Sequence, residues 1–124
     1  MTGGEELIIE GVVTTLGPRH EEGRNEDVNI SPMGPLATER MDTLLLKPYT
    51  SSRTYRNLKR HGEGVFHITD DVELIARATI GRVEAPLNAA REIQGRYIES
   101  ACRFYEFRVE ELDDREERTR IRCR

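Results

Sequence analysis

Tyr49-Thr-Ser-Ser-Arg-Thr-Tyr-Arg-Asn-Leu58 places four aliphatic hydroxyls and two guanidinium groups around a helix start. Thr50, Ser51 and Ser52 are three candidate N-caps for a polar nine-residue helix over Arg53–His61, which Gly62 ends. Its few apolar groups, Tyr55 and Leu58, lie three apart on one face. A helix start offers unpaired N–H groups and the positive end of the macrodipole, to which Ser and Thr add donors and Arg a charged fork. That chemistry suits a phosphate. The same residues also compose an ordinary capped surface helix, and composition alone favours this plainer account.

On either side of this helix the pattern is that of strands. Leu7–Leu16 is rich in β-branched residues and reads as one strand. Gly17, Pro18, Gly23 and Asn25, with charged residues between them, predict a hairpin loop. Asp27–Ser31 alternates polar with apolar and ends in the turn Ser31-Pro-Met-Gly-Pro35; Asp42–Lys47 gives a third strand that Pro48 stops. After the helix, Gly64–Thr69 resumes β character. Asp70 and Glu73 form a capping pair for a second helix over Asp71–Ile80. Ala85–Ser100 reads as helical or irregular. In Ala101–Glu111 the residues Tyr105, Phe107 and Val109 share a face, Asp113–Glu117 is a polar turn, and Thr119, Ile121 and Cys123 alternate with arginines. About six strands and two helices, with strand hairpins before and after the helices, predict an α+β, mainly β antiparallel barrel.

The whole chain of 124 residues fits a single domain with a modest core, since hydrophobic residues make up 36%. With 19 basic and 23 acidic residues the formal charge is −4, so no strong field draws polyanions and a general nucleic-acid binder is not expected. No apolar run approaches a membrane span, and the N-terminus lacks a signal pattern. Two cysteines are too few for a disulfide framework, so the expected setting is a reducing cytoplasm.

Other residue types invite plainer readings. His20, His61 and His67 have no metal-ligand spacing, so no metal site is expected. His67 alternates with Phe66 and Ile68, which leaves it facing either a barrel interior or a cofactor. Asp70 and Asp71 are adjacent and do not face each other on a helix, so capping explains them better than acid–base chemistry. Cys102 is expected to pack as a small hydrophobe, and Cys123 to be a free thiol near an exposed terminus. The arginine-rich end is the solvent face of a strand.

The turn Asn29-Ile-Ser-Pro-Met-Gly-Pro35 gains meaning from its company. Strand, Gly-rich loop, Asn-Ile-Ser-Pro-Met-Gly, a strand ending in Lys47-Pro-Tyr, and then Ser51-Ser-Arg-Thr-Tyr-Arg-Asn-Leu58 follow in order. This set resembles the FMN-binding split β-barrel, flavin reductase-like proteins. Gly64-Val-Phe-His-Ile-Thr-Asp-Asp-Val-Glu-Leu-Ile-Ala-Arg-Ala78 is similar to a small branch of that superfamily catalogued as a domain of unknown function. The likeness covers roughly Leu7 to Ile80, and Ala101 to Arg124 more loosely.

The resemblance implies an FMN site between the two protomers of a homodimer. Ser51, Ser52, Arg53, Thr54 and Asn57 fall on its phosphate-loop pattern, and Asn29, Ile30, Ser31 and Met33 on the segment beside the isoalloxazine. Main-chain groups would read the flavin's pyrimidine edge, and Ile30 and Met33 would pack on the ring. Relatives continue past the last strand with a helical segment, whereas this chain ends on Arg-Ile-Arg-Cys-Arg. The implied function is a flavoprotein of the flavin-reductase class using a reduced nicotinamide donor, NADH or NADPH. The alternatives are a non-catalytic flavin-binding module and a binder of another phosphorylated small molecule. No catalytic side chain is nominated.

Overall fold

The computed structural model describes residues 6–19, 27–38, 41–69, 77, 87–99, 101 and 103–124. The expected strand over Leu7–Leu16 is in fact two, β1 (Glu6–Ile8) and β2 (Gly11–Leu16), which lie in different parts of the sheet. Gly11 explains where β2 begins: a Cβ there would collide with the carbonyl of His67 on the neighbouring strand, and only glycine permits that approach. β3 (Val28–Met33) pairs along its full length with β2. It runs two residues past the predicted end, through Pro32, because it is an edge strand, where a missing N–H is tolerated. The hairpin joining them closes where the Gly17 amide meets the Asp27 carbonyl at 2.8 Å and Asp27 takes a left-handed φ of 55°. The tip of the predicted loop, residues 20–26, lies outside the described residues.

β4 (Leu36–Thr38) is a three-residue strand that no sequence pattern marked, and β5 (Leu44–Leu46) is the centre of the predicted third strand. α1 spans Arg53–His61 as predicted, and Gly62 ends it at φ 78°. β6 (Glu63–Ile68) follows. The predicted second helix, with its capping residues Asp70 and Glu73, lies outside the described residues except for Arg77. The helical or irregular reading of Ala85–Ser100 is corrected: the segment contains a hairpin of β7 (Leu87–Ala89) and β8 (Arg96–Ile98). Burial decides this against weak local propensity, since Ile98 is fully enclosed against Val12, with Leu87, Ile30 and Ala101 around it. β9 (Arg103–Asp113) and β10 (Arg120–Cys123) complete the fold.

Eight strands form one antiparallel sheet in the order β1-β4-β5-β10-β9-β6-β2-β3. The long strand β9 joins its halves, because Arg103–Arg108 pair with β6 while Val109–Asp113 pair with β10. A register shift leaves Glu110 unmatched, since Arg122 faces Glu111 and Cys123 faces Val109. This bulge changes the alternation: Tyr105, Phe107 and Val109 contact the core before it, and Leu112 after it. The curled sheet wraps Val13, Phe66 and Phe107 from one half against Leu44, Leu46, Ile121 and Cys123 from the other. The result is the split, mainly β barrel predicted above. Cys123 is a free thiol, as expected, but one enclosed in the core and not at an exposed terminus: it is fully buried, and burial pushes its thiol pKa up to about 12. Cys102 lies outside the described residues.

His67 faces the interior. Its Nδ1–H donates to the Val12 carbonyl at 3.1 Å, and its Nε2 accepts the Ile98 amide at 2.8 Å, so the neutral ring ties β2, β6 and β8 together. Desolvation outweighs the Val12 bond and lowers the imidazole pKa from 6.5 to about 4.

α1 is polar on most of its surface and is held from two sides. Leu58 enters the core, and Tyr55 packs against it. On one flank the Tyr55 hydroxyl donates to Asp114 at 2.7 Å and Lys59 Nζ reaches the same carboxylate at 2.8 Å. The Lys59 and Tyr55 hydrogen bonds hold the Asp114 carboxyl below its usual range. On the other flank Asn57 donates to the buried Thr15 hydroxyl at 3.0 Å. The segment entering the helix is fixed as well, with the Thr50 amide on the Glu117 carbonyl at 2.8 Å and the Thr119 amide on the Pro48 carbonyl at 2.9 Å.

Two outcomes follow from these contacts. Because the folded pKa of His67 is lowered, its stabilising contribution is complete above pH 6.5 and declines as the pH falls from 6.5 to about 4. The loss over that window amounts to about 3 kcal/mol, after which it levels off. Urea unfolding across this range is expected to show the slope in the wild type and a shallower one in His67→Gln; equal slopes would contradict the assignment. Asn57→Ala removes a buried hydrogen bond and should cost about 1 to 3 kcal/mol in the same assay. An unchanged midpoint would show that Asn57 does not anchor α1.

Candidate functional site

A cleft of about 590 Å³ opens between α1, the start of β3 and the base of the β2–β3 hairpin. Arg53, Arg56, Asn57 and Arg60 line it from the helix, Val28 and Asn29 from β3, and Pro18, Arg19 and Asp27 from the hairpin. Three of the residues singled out in the sequence, Asn29, Arg53 and Asn57, thus share one cavity. Ser51, Ser52 and Thr54 belong to the adjoining helix start.

These residues do different work. The Ser52 hydroxyl accepts the Tyr55 amide at 3.1 Å and donates to the Tyr49 carbonyl at 2.8 Å, which makes it the N-cap. Thr54 is buried, and its hydroxyl accepts from Asn29 Nδ2 at 3.1 Å. Asn57, bonded to Thr15, accepts from an Arg60 Nη at 3.2 Å, and the other Arg60 Nη reaches the Leu16 carbonyl. Asn29 and Thr15 are cross-strand partners, so two paired residues at the end of the β2–β3 ladder meet two from the helix. Ser52, Thr54, Asn57 and Asn29 are therefore engaged in placing α1.

What remains facing solvent is Ser51 and Arg53, both exposed. Beside them are the amides of Arg53 and Thr54, which precede the helix's own hydrogen-bond ladder. The first turn carries no acidic residue. A hydroxyl, a guanidinium, two amides and the positive helix end are groups whose chemistry suits an anion.

The second group of candidates does not act as a unit. Strand alternation puts Asn29, Ser31 and Met33 on the core side of β3, opposite Thr15, Val13 and Gly11, whereas Ile30 lies on the other side against Val12 and Ile98. Met33 lines a separate opening of about 330 Å³ with Glu10, Gly11, Pro32 and Gly34. What the strand offers along its whole length is its outer edge, which bears no neighbouring strand among the described residues. Main-chain N–H and C=O groups there are available to the polar rim of a flat heterocycle.

Arg19 and Arg60 were not singled out, and Arg56 only as the second of the two guanidiniums counted at the helix start. Arg53, Arg56 and Arg60 stand at i, i+3 and i+7, a spacing that puts them on one helix face and is visible in the sequence. Arg19 joins them only through the hairpin, where its own amide donates to the Asp27 carboxylate at 2.7 Å.

Solved structures of similar fold include several described as FMN-bound proteins or flavin reductases. An FMN-bound protein from Methanosarcina mazei, of the DUF447 family, superposes with a TM-score of 0.76 at 18% identity, over 98% of this chain and 60% of that one. The 2-nitrobenzoate 2-nitroreductase of Pseudomonas fluorescens gives 0.73 at 16%, over 98% and 64%. The flavin reductase of styrene monooxygenase from Pseudomonas putida gives 0.72 at 13%, over 94% and 76%. At these identities the likeness establishes the split-barrel fold, and the chain spans less than two thirds of the length of the first two. No curated protein matches by sequence. Among the described residues no helix is long and apolar enough to cross a membrane. The model of the family described as "Protein of unknown function (DUF447) N-terminal domain" matches residues 9–124, and the chain belongs to that family.

Proposed function

We propose that this chain binds FMN in the α1–β3 cleft and is a flavin-reductase-like redox protein. The observation that carries this reading is the juxtaposition, in one cavity, of Arg53 from an open cationic helix start, which Ser51 adjoins, with Val28 and Asn29 at the beginning of the free edge of β3. A phosphate at the first and a planar ring along the second are the two ends of FMN. The residues fit the group: Arg53 and Ser51 are exposed at the seat, and Ser52, Thr54, Asn57 and Asn29 hold it in shape. That the similar Methanosarcina protein is FMN-bound supports the choice of ligand.

In the proposed complex Arg53 donates a charged fork to the ester phosphate, and the amides of Arg53 and Thr54 neutralise it further. Main-chain groups of Asn29–Met33 orient the pyrimidine rim, and Met33 contributes apolar contact from the strand end. Bound FMN supplies hydride and electron transfer. The protein's part is to bind, orient and exclude water, so no side-chain base is assigned. NADH or NADPH is the proposed donor. We assign the single domain, residues 1–124, to a cytoplasmic homodimer, in which a second copy would cover the flavin face that one protomer leaves open.

The purified chain should show flavin absorption bands or acquire them on adding FMN, and Arg53→Ala should weaken binding by about 1.5 to 3 kcal/mol, the range for a hydrogen bond to a charged group. A dissociation constant unaffected by that change would remove Arg53 from the seat. Oxidation of NADH or NADPH is expected to run faster with the FMN-loaded protein than with free FMN; no excess rate would remove the reductase assignment and leave a flavin-binding module.

A further inference from the structure

The hairpin of β7 and β8 forms a two-stranded sheet of its own and shares no ladder with the eight-stranded sheet. It lies across one face of the β3-β2-β6-β9 half. Register fixes which residues make up that face. Val12, His67 and Phe104 are cross-strand partners, and so are Ile30, Thr14, Val65 and Glu106, all on the side away from the core cluster of Val13, Phe66 and Phe107.

With no ladder to hold the hairpin, side chains do so. Ile98 packs on Val12 with Ile30 beside it, and Tyr97 stacks on Phe104 with ring centroids 4.2 Å apart. The Thr14 hydroxyl donates to the Arg96 carbonyl, and the Glu106 carboxylate accepts the Arg91 and Glu92 amides at 2.7 and 2.6 Å. At the centre the Ile98 amide donates to His67 Nε2 at 2.8 Å.

That central tie fails with one added proton. Nε2 accepts from Ile98 only while the ring is neutral; in the imidazolium both nitrogens are donors, so Nε2–H opposes the Ile98 N–H, whereas the Nδ1–H bond to Val12 survives. The charge would also be fully buried, and lifting the hairpin is the local way to return it to water. Among the elements around the ring, β2, β3 and β7 carry no ionisable side chain. β6 has Glu63, paired with Arg108; β8 has Arg96, with Glu99 after it; β9 has Glu106, committed to the turn amides, and Arg103, which alternates to the other side. The lowered pKa of the ring comes from burial, opposed by the Val12 bond, and from no charged neighbour.

We propose that the β7–β8 hairpin is a strap that lifts from the sheet as a unit when His67 is protonated, and that its release removes the brace behind Ile30 and loosens β3. Among the described residues β3 is an edge strand paired only with β2, so packing on its back counts for more than it would in an inner strand. The strap stands on its own contacts; its consequence for a ligand lying along β3 rests on the FMN reading above.

Amide hydrogen exchange of the full chain without ligand, corrected for intrinsic rates, tests this between pH 6.5 and 4. Residues 87–98 are expected to lose protection together, by up to about 300-fold, the ratio set by a ring pKa of 6.5 when released and about 4 when docked. β3 should follow in part, while the β6–β9 and β9–β10 ladders keep their protection. Uniform loss over the whole sheet, or hairpin protection that does not change with pH, would overturn the strap. Unchanged protection of β3 while the hairpin opens would overturn the brace. His67→Gln can still donate to Val12 and accept from Ile98 but takes up no proton, so its hairpin should stay docked at pH 4; release as in the wild type would overturn the role of His67. Should that variant fail to fold, Tyr97→Ala removes the stack on Phe104 and leaves His67 in place. Release is then expected at higher pH, and an unmoved release would contradict a hairpin that lifts as one unit. With no ligand present, these outcomes do not depend on whether FMN binds.

Discussion

The placement of one short helix on the end of a two-strand ladder governs the rest of this molecule. A nine-residue helix with a largely polar surface is marginal on its own, because nucleation costs more than so few hydrogen bonds return. Here Leu58 supplies the apolar anchor, and the Asn57–Thr15 and Asn29–Thr54 pairs supply direction. Both pairs lie at the hairpin end of the β2–β3 ladder, so they determine where the first turn points. On the far flank Asp114 draws in Tyr55 and Lys59, and the last hairpin of the chain holds the residues leading into the helix. An anion seat built from main-chain amides is only as well placed as the helix that presents them.

This arrangement divides labour among residues that look alike in the sequence. Hydroxyl and amide side chains near a helix start suggest direct ligand contacts, yet most of them here are bonded to each other or to the backbone. Thr54 and Asn57 are buried, and Ser52 is occupied as the cap. The charged groups, by contrast, remain open to the cleft. Satisfied polar groups give rigidity, and the exposed guanidiniums give attraction for phosphate.

Much of the fold was legible because local patterns and tertiary burial agree. Ser52 and Gly62 bracket α1 at the predicted residues, and Tyr105, Phe107 and Val109 mark the inner face of β9. The misses have physical causes. A run of β-branched residues hides the break at Ile9–Glu10, which the close approach of Gly11 to His67 imposes from another strand. Three-residue strands such as β4 and β7 are too short to show a period and exist because a partner pairs with them. The same limit applies to the site: Arg53 and Asn57 sit in a recognisable stretch, but that Arg19 would face them depends on the hairpin, and alternation separates Ile30 from Asn29 while only the packing of β3 under β8 decides which of the two sides each takes.

The central claim is that the first turn of α1 and the edge of β3 bind the two ends of one FMN molecule. A crystal structure of the chain grown with excess FMN tests it most directly. The account predicts phosphate density against Arg53, Ser51 and the first-turn amides, with the ring extending along β3. Phosphate bound elsewhere, or an α1–β3 cleft closed by the protein's own side chains, would contradict it.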